Sequence, residues 1–231
     1  MKNYKTINIG EIVTQDFRAA EIFKNAGIDF CCGGNQSLEQ ACMEKNIDST
    51  VLETELGKLE NTTVNALHNF NEWNLDFLCD YIVNTHHKTV LKLLPQLTVY
   101  TQKIAQVHGA HHQELIPIAN LFAKINEELL QHLRNEEEVL FPAIKELLKS
   151  NSPAAKATVI SEITRMKGEH EFAGGAMDKI NVLSDNYAVP ADGCSTYQVA
   201  YKLLEEFEDD LHIHVHLENN ILYPKALKLA I

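Results

Sequence analysis

Two stretches of this sequence repeat one arrangement of a histidine and a carboxylate. His132-Leu-Arg-Asn-Glu136 runs on to Leu140-Phe141-Pro142, and His214-Val-His-Leu-Glu218 runs on to Leu222-Tyr223-Pro224. Both read H-x-x-x-E-x-x-x-L-[FY]-P, at a constant offset: 214−132 and 218−136 both give 82. On an α-helix, residues four apart share a face and lie about 6 Å apart along the axis. Each His–Glu pair can therefore point at one centre. Imidazole and carboxylate donors without thiolate suit divalent Fe, Mn or Zn.

A single pair of this kind is ordinarily an exposed ion pair. Here the surrounding apolar pattern argues otherwise. Leu129, Leu140 and Ile144 flank the first copy at helical spacing, and Phe207, Leu211 and Leu222 flank the second. His86 follows Leu78 and Ile82 on one further helical pattern, and His170 lies between Met166 and Ala173 on another. Steps of three and four place His86, His132, Glu136, His170, His214 and Glu218 on faces predicted to be buried. His87 falls off its seam. His111, His112, His212 and His216 do likewise and are predicted to be exposed, and His68 falls in a linker. An unpaired ionised carboxylate in a dry interior costs several kcal/mol. Two divalent cations would neutralise both glutamates and use the imidazole lone pairs. Glu136 and Glu218 would then bridge, with two terminal histidines per metal; a hydrogen-bonded polar network is the alternative. Six ligands for two metals leave open positions for a small molecule such as O₂ or NO. Open positions favour iron over a structural zinc site, which would be closed.

Four long helical patterns must position these residues: about 74–107, interrupted at Pro95 with a kink expected there, then 117–149, 153–183 and 195–229. Short breaker-rich loops join them, which predicts an all-α, antiparallel up-down-up-down four-helix bundle. The organisation expected is a small helical domain over 1–59, a polar linker over 60–73, and the bundle over 74–231. In the small domain, a helix over Asp16–Ala26 is stopped by Gly27. Ser37 with Gln40 forms a capping box that opens a second helix, and a third begins after Asp48.

The chain has 231 residues, 45% of them hydrophobic, and a formal net charge of −12 with histidines neutral. Such an acidic surface repels phosphate backbones and anionic lipid, so nucleic acid and membrane are excluded as partners. Met1–Gly10 lack a signal-peptide apolar core, and a cytoplasmic location is expected. The five cysteines have no disulfide-framework spacing. Cys31 and Cys32 sit in a glycine-rich loop just before the Ser37 helix start, whose amides are expected to favour thiolate. Adjacent cysteines form only a strained, easily reduced disulfide. A redox or metal-relay role fits; two small buried thiols in a tight turn are the alternative. Cys42, Cys79 and Cys194 read as isolated packing thiols. His108 is a gate or transient ligand near one bundle mouth, or a surface histidine. Glu171 and Asp210 are candidates for orienting the ligands, or else solvated charges.

These motifs resemble the hemerythrin-like fold. Together with Gly27-Ile-Asp-Phe-Cys-Cys-Gly-Gly34, nearly the whole chain resembles the iron-sulfur cluster repair di-iron proteins, the repair of iron centres family. Glu169-His170-Glu171 and Glu218-Asn-Asn-Ile-Leu-Tyr-Pro224 belong to that likeness. The resemblance implies two Fe ions in a non-haem centre held by His86, His132, Glu136, His170, His214 and Glu218, carboxylate-bridged and open to an oxo bridge. It further implies a stress response in which iron is donated to iron-sulfur proteins damaged by nitric oxide or oxidants. Reduction of NO or nitrite, and O₂ or NO carriage or sensing, are the alternatives. Hemerythrin uses more histidines, so the leaner set implies a more labile site. A homodimer is left open.

Overall fold

In the computed structural model, which describes residues 3–60 and 69–231, no strand occurs among the described residues. Four short helices come first: α1 (Ile9–Gln15), α2 (Ala19–Asn25), α3 (Leu38–Glu44) and α4 (Ser49–Leu59). α3 opens on a complete capping box between Ser37 and Gln40. The Asp48 carboxylate accepts from the Thr50 amide, 2.9 Å, and caps α4. Gly27 closes α2 at a φ of +64°, a conformation glycine adopts without Cβ strain.

The bundle comes next, in four antiparallel strokes. The first is α5 (Leu75–Ile82) with α6 (Lys88–His108), and the second α7 (Leu115–Asn135) with α8 (Phe141–Lys149). The third is the uninterrupted α9 (Pro153–Leu183), and the fourth α10 (Ser195–His216) with α11 (Tyr223–Ala230). α6 packs on α7 and α10, while α9 packs on α7, α8, α10 and α11. No helix among the described residues is long and apolar enough to cross a membrane.

Three of the four strokes contain a π turn: Val83–His87, Glu136–Leu140 and Leu217–Leu222. α6 continues through Pro95. The interruption expected at Pro95 lies instead at Val83–His87. Each π turn takes up an extra residue and rotates the downstream part of the helix about its axis, which is why plain α-helical periodicity misplaced side chains there.

The core forms two apolar blocks. One joins the N-terminal helices (Ile9, Phe23, Leu38, Leu56) to one half of the bundle (Leu94, Leu97, Phe122, Phe207). The other fills the opposite half with Leu78, Ile82, Leu140, Ile163 and Leu222. The candidate histidines and glutamates lie along the chain between these blocks. Within the segment expected to be a linker, residues 61–68 (His68 among them) lie outside the described residues. Phe70 is buried and packs edge-on against Phe17, ring centroids 5.2 Å apart.

The cysteine loop is pinned to the bundle. The Asn220 side-chain amide donates to the carbonyls of Phe30 and Cys31, at 3.2 and 3.3 Å. A Cβ on Gly34 would lie 2.7 Å from the Phe30 carbonyl oxygen and 2.9 Å from Asn220 Oδ1. Gly34→Ala is therefore expected to destabilise the protein by about 1–3 kcal/mol through overpacking. Thermal unfolding followed by circular dichroism tests this, and an unchanged Tm would contradict the close approach.

Candidate metal centre

Two sets of donors converge where the π turns meet. One comprises His87, Glu136, His214 and Glu218, and the other His132, Glu136, His170 and Glu218, each with ligand atoms within 4.8 Å of one another. Glu136 and Glu218 belong to both, so each carboxylate lies where it can reach two centres. All six side chains are buried. His87 Nε2 and His132 Nε2 each lie 3.3 Å from Glu136 Oε2. His170 Nε2 lies 3.2 Å from Glu218 Oε2, and His214 Nε2 lies 3.2 Å from Glu218 Oε1.

The first bundle helix differs from the sequence expectation. His87 is fully buried and faces the glutamates, while His86 joins neither donor set. His86 instead meets Asp210 through Nδ1 at 2.9 Å and stacks on His214, ring centroids 5.6 Å apart. Unbroken α-helical spacing from Leu78 and Ile82 points to His86, but the π turn over Val83–His87 advances the register by one residue. A second π turn begins directly after His216, which is also fully buried rather than exposed. Burial drives His216 down to about 3, so it is neutral.

The other ring nitrogens are fixed by partners that spacing alone did not reveal. His87 Nδ1 donates to Glu137, 2.8 Å, and His132 Nδ1 to Glu169, 2.7 Å. His170 Nδ1 meets Asn219 Oδ1 at 3.0 Å. Glu137 and Asn219 each stand directly after a shared glutamate, and 219−137 again gives 82. Asp210 does orient a histidine, but that histidine is His86. Glu171 is exposed and beside the cysteines, and Glu169 does what Glu171 was expected to do. The pseudo-symmetry extends to the rings: Phe141 stacks on His87 and Tyr223 on His170. It breaks at one atom, the Tyr223 hydroxyl, which donates to Glu136 Oε1 at 2.6 Å. Phe141 has no hydroxyl to offer Glu218.

The residues fit a pair of cations. Carboxylates accept but cannot donate, so Nδ1 of His87 and of His132 carries the proton, and a neutral ring then presents a lone pair at Nε2. His132 Nε2 and His170 Nε2 lie 3.1 Å apart, a repulsive approach of two lone pairs unless a proton or cation lies between them. Glu136 Oε2, Glu218 Oε2 and His87 Nε2 are buried and make no hydrogen bond of good geometry. Such orphaned atoms in a dry layer are what metal ligands look like without the metal.

With no cation, protons must substitute. Burial alone would raise Glu136, but His132 and His87 hold it well below the usual carboxylate range. Burial opposes protonation of His132, yet Glu136 and Glu169 raise it to about 10. A folded value above the unfolded one, about 6.5, gives stability that is complete below that pH and lost as the pH climbs through about 10. The metal-free chain should therefore show a Tm falling between pH 7 and pH 10. The metal-loaded chain, whose His132 is already neutral, should not change in step with it; parallel curves for the two forms would refute the ion-pair account. The register shift gives a second expectation. His87→Ala should lower the metal content per chain while His86→Ala leaves it unchanged, as read by elemental analysis, and the reverse result would restore His86 as the ligand.

The cysteines rest against this centre. Cys31 is buried and Cys32 half-buried, with sulfurs 4.0 Å apart. The Asp29 carboxylate takes the amides of Cys31, Cys32 and Gly33 at 2.8–3.0 Å, and the Cys31 thiol lies 3.0 Å from it. The amides expected to favour thiolate are thus spent on Asp29. Cys32, burial and the Asp29 charge together push Cys31 well above the usual thiol range. Cys32 Sγ lies 3.6 Å from the His170 carbonyl oxygen. Of the remaining thiols, Cys42 and Cys79 are buried as expected, but Cys194 is exposed. It pairs with His108 Nε2 at 3.2 Å and is lowered to about 7. His108 ends α6, roughly 30 Å along the helix from His87 at 1.5 Å per residue, far from the donor cluster.

Two family models match this chain. Residues 80–226 match the hemerythrin HHE cation binding domain, and residues 6–60 match ScdA_N, a domain of unknown function (DUF542). The iron-sulfur cluster repair protein ScdA of Staphylococcus epidermidis is 33% identical over 219 residues, 94% of this chain and 96% of that protein. The iron-sulfur cluster repair protein YtfE of an Enterobacter species is 33% identical over 95% of this chain and 96% of its own length. YtfE of Yersinia pestis is 32% identical over 98% and 99%. With cation donors at the centre of the bundle and these likenesses along almost its full length, the chain belongs to the hemerythrin HHE cation-binding family, in the branch of the ScdA and YtfE proteins.

Proposed function

We propose that this protein holds two iron ions and restores iron-sulfur clusters damaged by nitric oxide or oxidants, by giving up iron to the damaged protein. The observation that carries this reading is the sharing of Glu136 and Glu218 between two histidine pairs. His87, His132, His170 and His214 would be the terminal ligands and the glutamates the bridges. Bound there, two ferrous ions supply transferable iron and open positions for NO or O₂. Glu137, Glu169 and Asn219 hold three of the imidazoles in one tautomer and orientation. The names of the ScdA and YtfE relatives support the repair role, and damaged iron-sulfur proteins are then its clients. Cys31 and Cys32 relay iron outward, a role favoured by the seat of Cys32 on the His170 turn. Cys31, held as a thiol, gives up its proton only when a cation arrives.

One feature favours a second reading, reversible binding of O₂ or NO. His86 Nε2 is buried without a hydrogen bond beside His214, a further imidazole next to the four that face the glutamates. Iron transfer separates the two. Iron-loaded protein incubated with an apo-cluster enzyme, a sulfide source and a reductant should restore that enzyme's activity. The Cys31→Ala, Cys32→Ala double variant should load iron equally and restore activity several-fold more slowly. Failure of the loaded wild-type protein to restore activity, together with a reversible optical change under O₂ or NO, would establish the carrier reading instead.

A further inference from the structure

Away from the donor cluster, the seam between the N-terminal helices and the bundle holds an open cavity of about 500 Å³. Three of its lining residues bring donors together. Glu208 and His212 stand four apart on α10, Asp178 comes from α9, and one ligand atom from each lies within 4.8 Å of the others. Metal–oxygen and metal–nitrogen bonds of about 2.0–2.2 Å let one ion touch donors roughly 4.4 Å apart. A small rotation of the exposed Asp178 side chain closes the difference.

The surroundings are acidic on balance: Asp29, Asp178, Glu205, Glu208 and Asp209 line the cavity against Lys24 and Lys45. Glu208 is buried with Asn181 as its hydrogen-bond donor, Nδ2 to Oε2 at 3.0 Å. Tyr187, also buried, lines the same cavity with its hydroxyl beside Glu208 and Asn181, where it makes no hydrogen bond of good geometry. It reaches this position from a left-handed backbone, φ +59°, which costs a non-glycine residue about 1–2 kcal/mol. Asp209 is already matched by Lys24 at 2.6 Å, whereas burial and the charge of Asp29 raise the Asp178 carboxyl above its usual range despite Lys45 and His212 nearby.

We propose that Asp178, Glu208 and His212 form a mononuclear site for one hard divalent cation of the Fe(II) or Mn(II) type, separate from the dinuclear centre. Two carboxylates balance the ion's charge, and carboxylate with imidazole donors suits these metals. The Tyr187 hydroxyl supplies a partner for a water on the ion. Asp29, Asp178 and His212 also line the recess that holds Cys31 and Cys32, so the site adjoins the cysteine loop on its outer side.

The test is titration with Mn(II) of protein loaded with two irons per chain, monitoring loss of the free-ion signal by electron paramagnetic resonance. The wild-type protein should bind one equivalent while the optical spectrum of its iron centre stays unchanged. Asp178→Asn, at an exposed position, should weaken that binding at least about tenfold, the least that loss of even an outer-shell partner typically costs, and His212→Gln should weaken it similarly. The Cys31→Ser, Cys32→Ser variant should bind as the wild type does. No stoichiometric Mn(II), equal binding by both donor variants, or loss confined to the cysteine variant would each overturn the proposal. The site shares no residue with the dinuclear centre, so a chain that failed to hold iron at Glu136 and Glu218 would still bind this ion.

Discussion

Two buried carboxylates set the terms for the rest of this structure. Glu136 and Glu218 lie between two apolar blocks, and neither can be ionised there without positive charge close by. The four facing imidazoles can provide it only in part, because burial works against their protonation as well. The layer is thus poised between a protonated network and a metal-bound one, and cations convert a costly arrangement into a favourable one. The helices, the packing on either side and the partners behind each histidine all serve to keep these six groups together and dry.

The π turns are the local means of doing so. An α-helix places one donor per turn on a given face, and each of the three interrupted helices carries its donors at or beside a π turn. The added residue lets His87 turn inward next to His86, and it brings Asn219 and Asn220 to opposite tasks one residue apart. Asn219 steadies His170, while Asn220 fastens the cysteine loop. One short segment of the fourth helix therefore ties the donor layer to the N-terminal helices.

Much of this was legible in the sequence, and each exception has a physical cause. The four-helix bundle, the capping box at Ser37, the Asp48 cap and five of the six converging donors can be read from spacing and residue type, because α-helical periodicity holds wherever the helix is regular. His87 was misplaced because it lies in a π turn, which no composition or spacing rule marks, and His216 because Phe17 and Phe30 of the N-terminal segment cover its face of the bundle. Glu169 was passed over for Glu171 because both flank His170, and only the packing of α7 on α9 decides which carboxylate meets His132. The state of the cysteines depends on Asp29, whose capture of three amides is a property of loop geometry. Cys194 could not be paired with His108 from spacing, since the two lie 86 positions apart.

The phenol at position 223 makes the two halves of the centre unequal. Its proton draws charge from one shared carboxylate and leaves the other without such a donor, so cations seated there would be held by two carboxylates of unequal strength. That inequality comes from a single oxygen atom, present in one copy of the repeat at Tyr223 and absent from the other at Phe141.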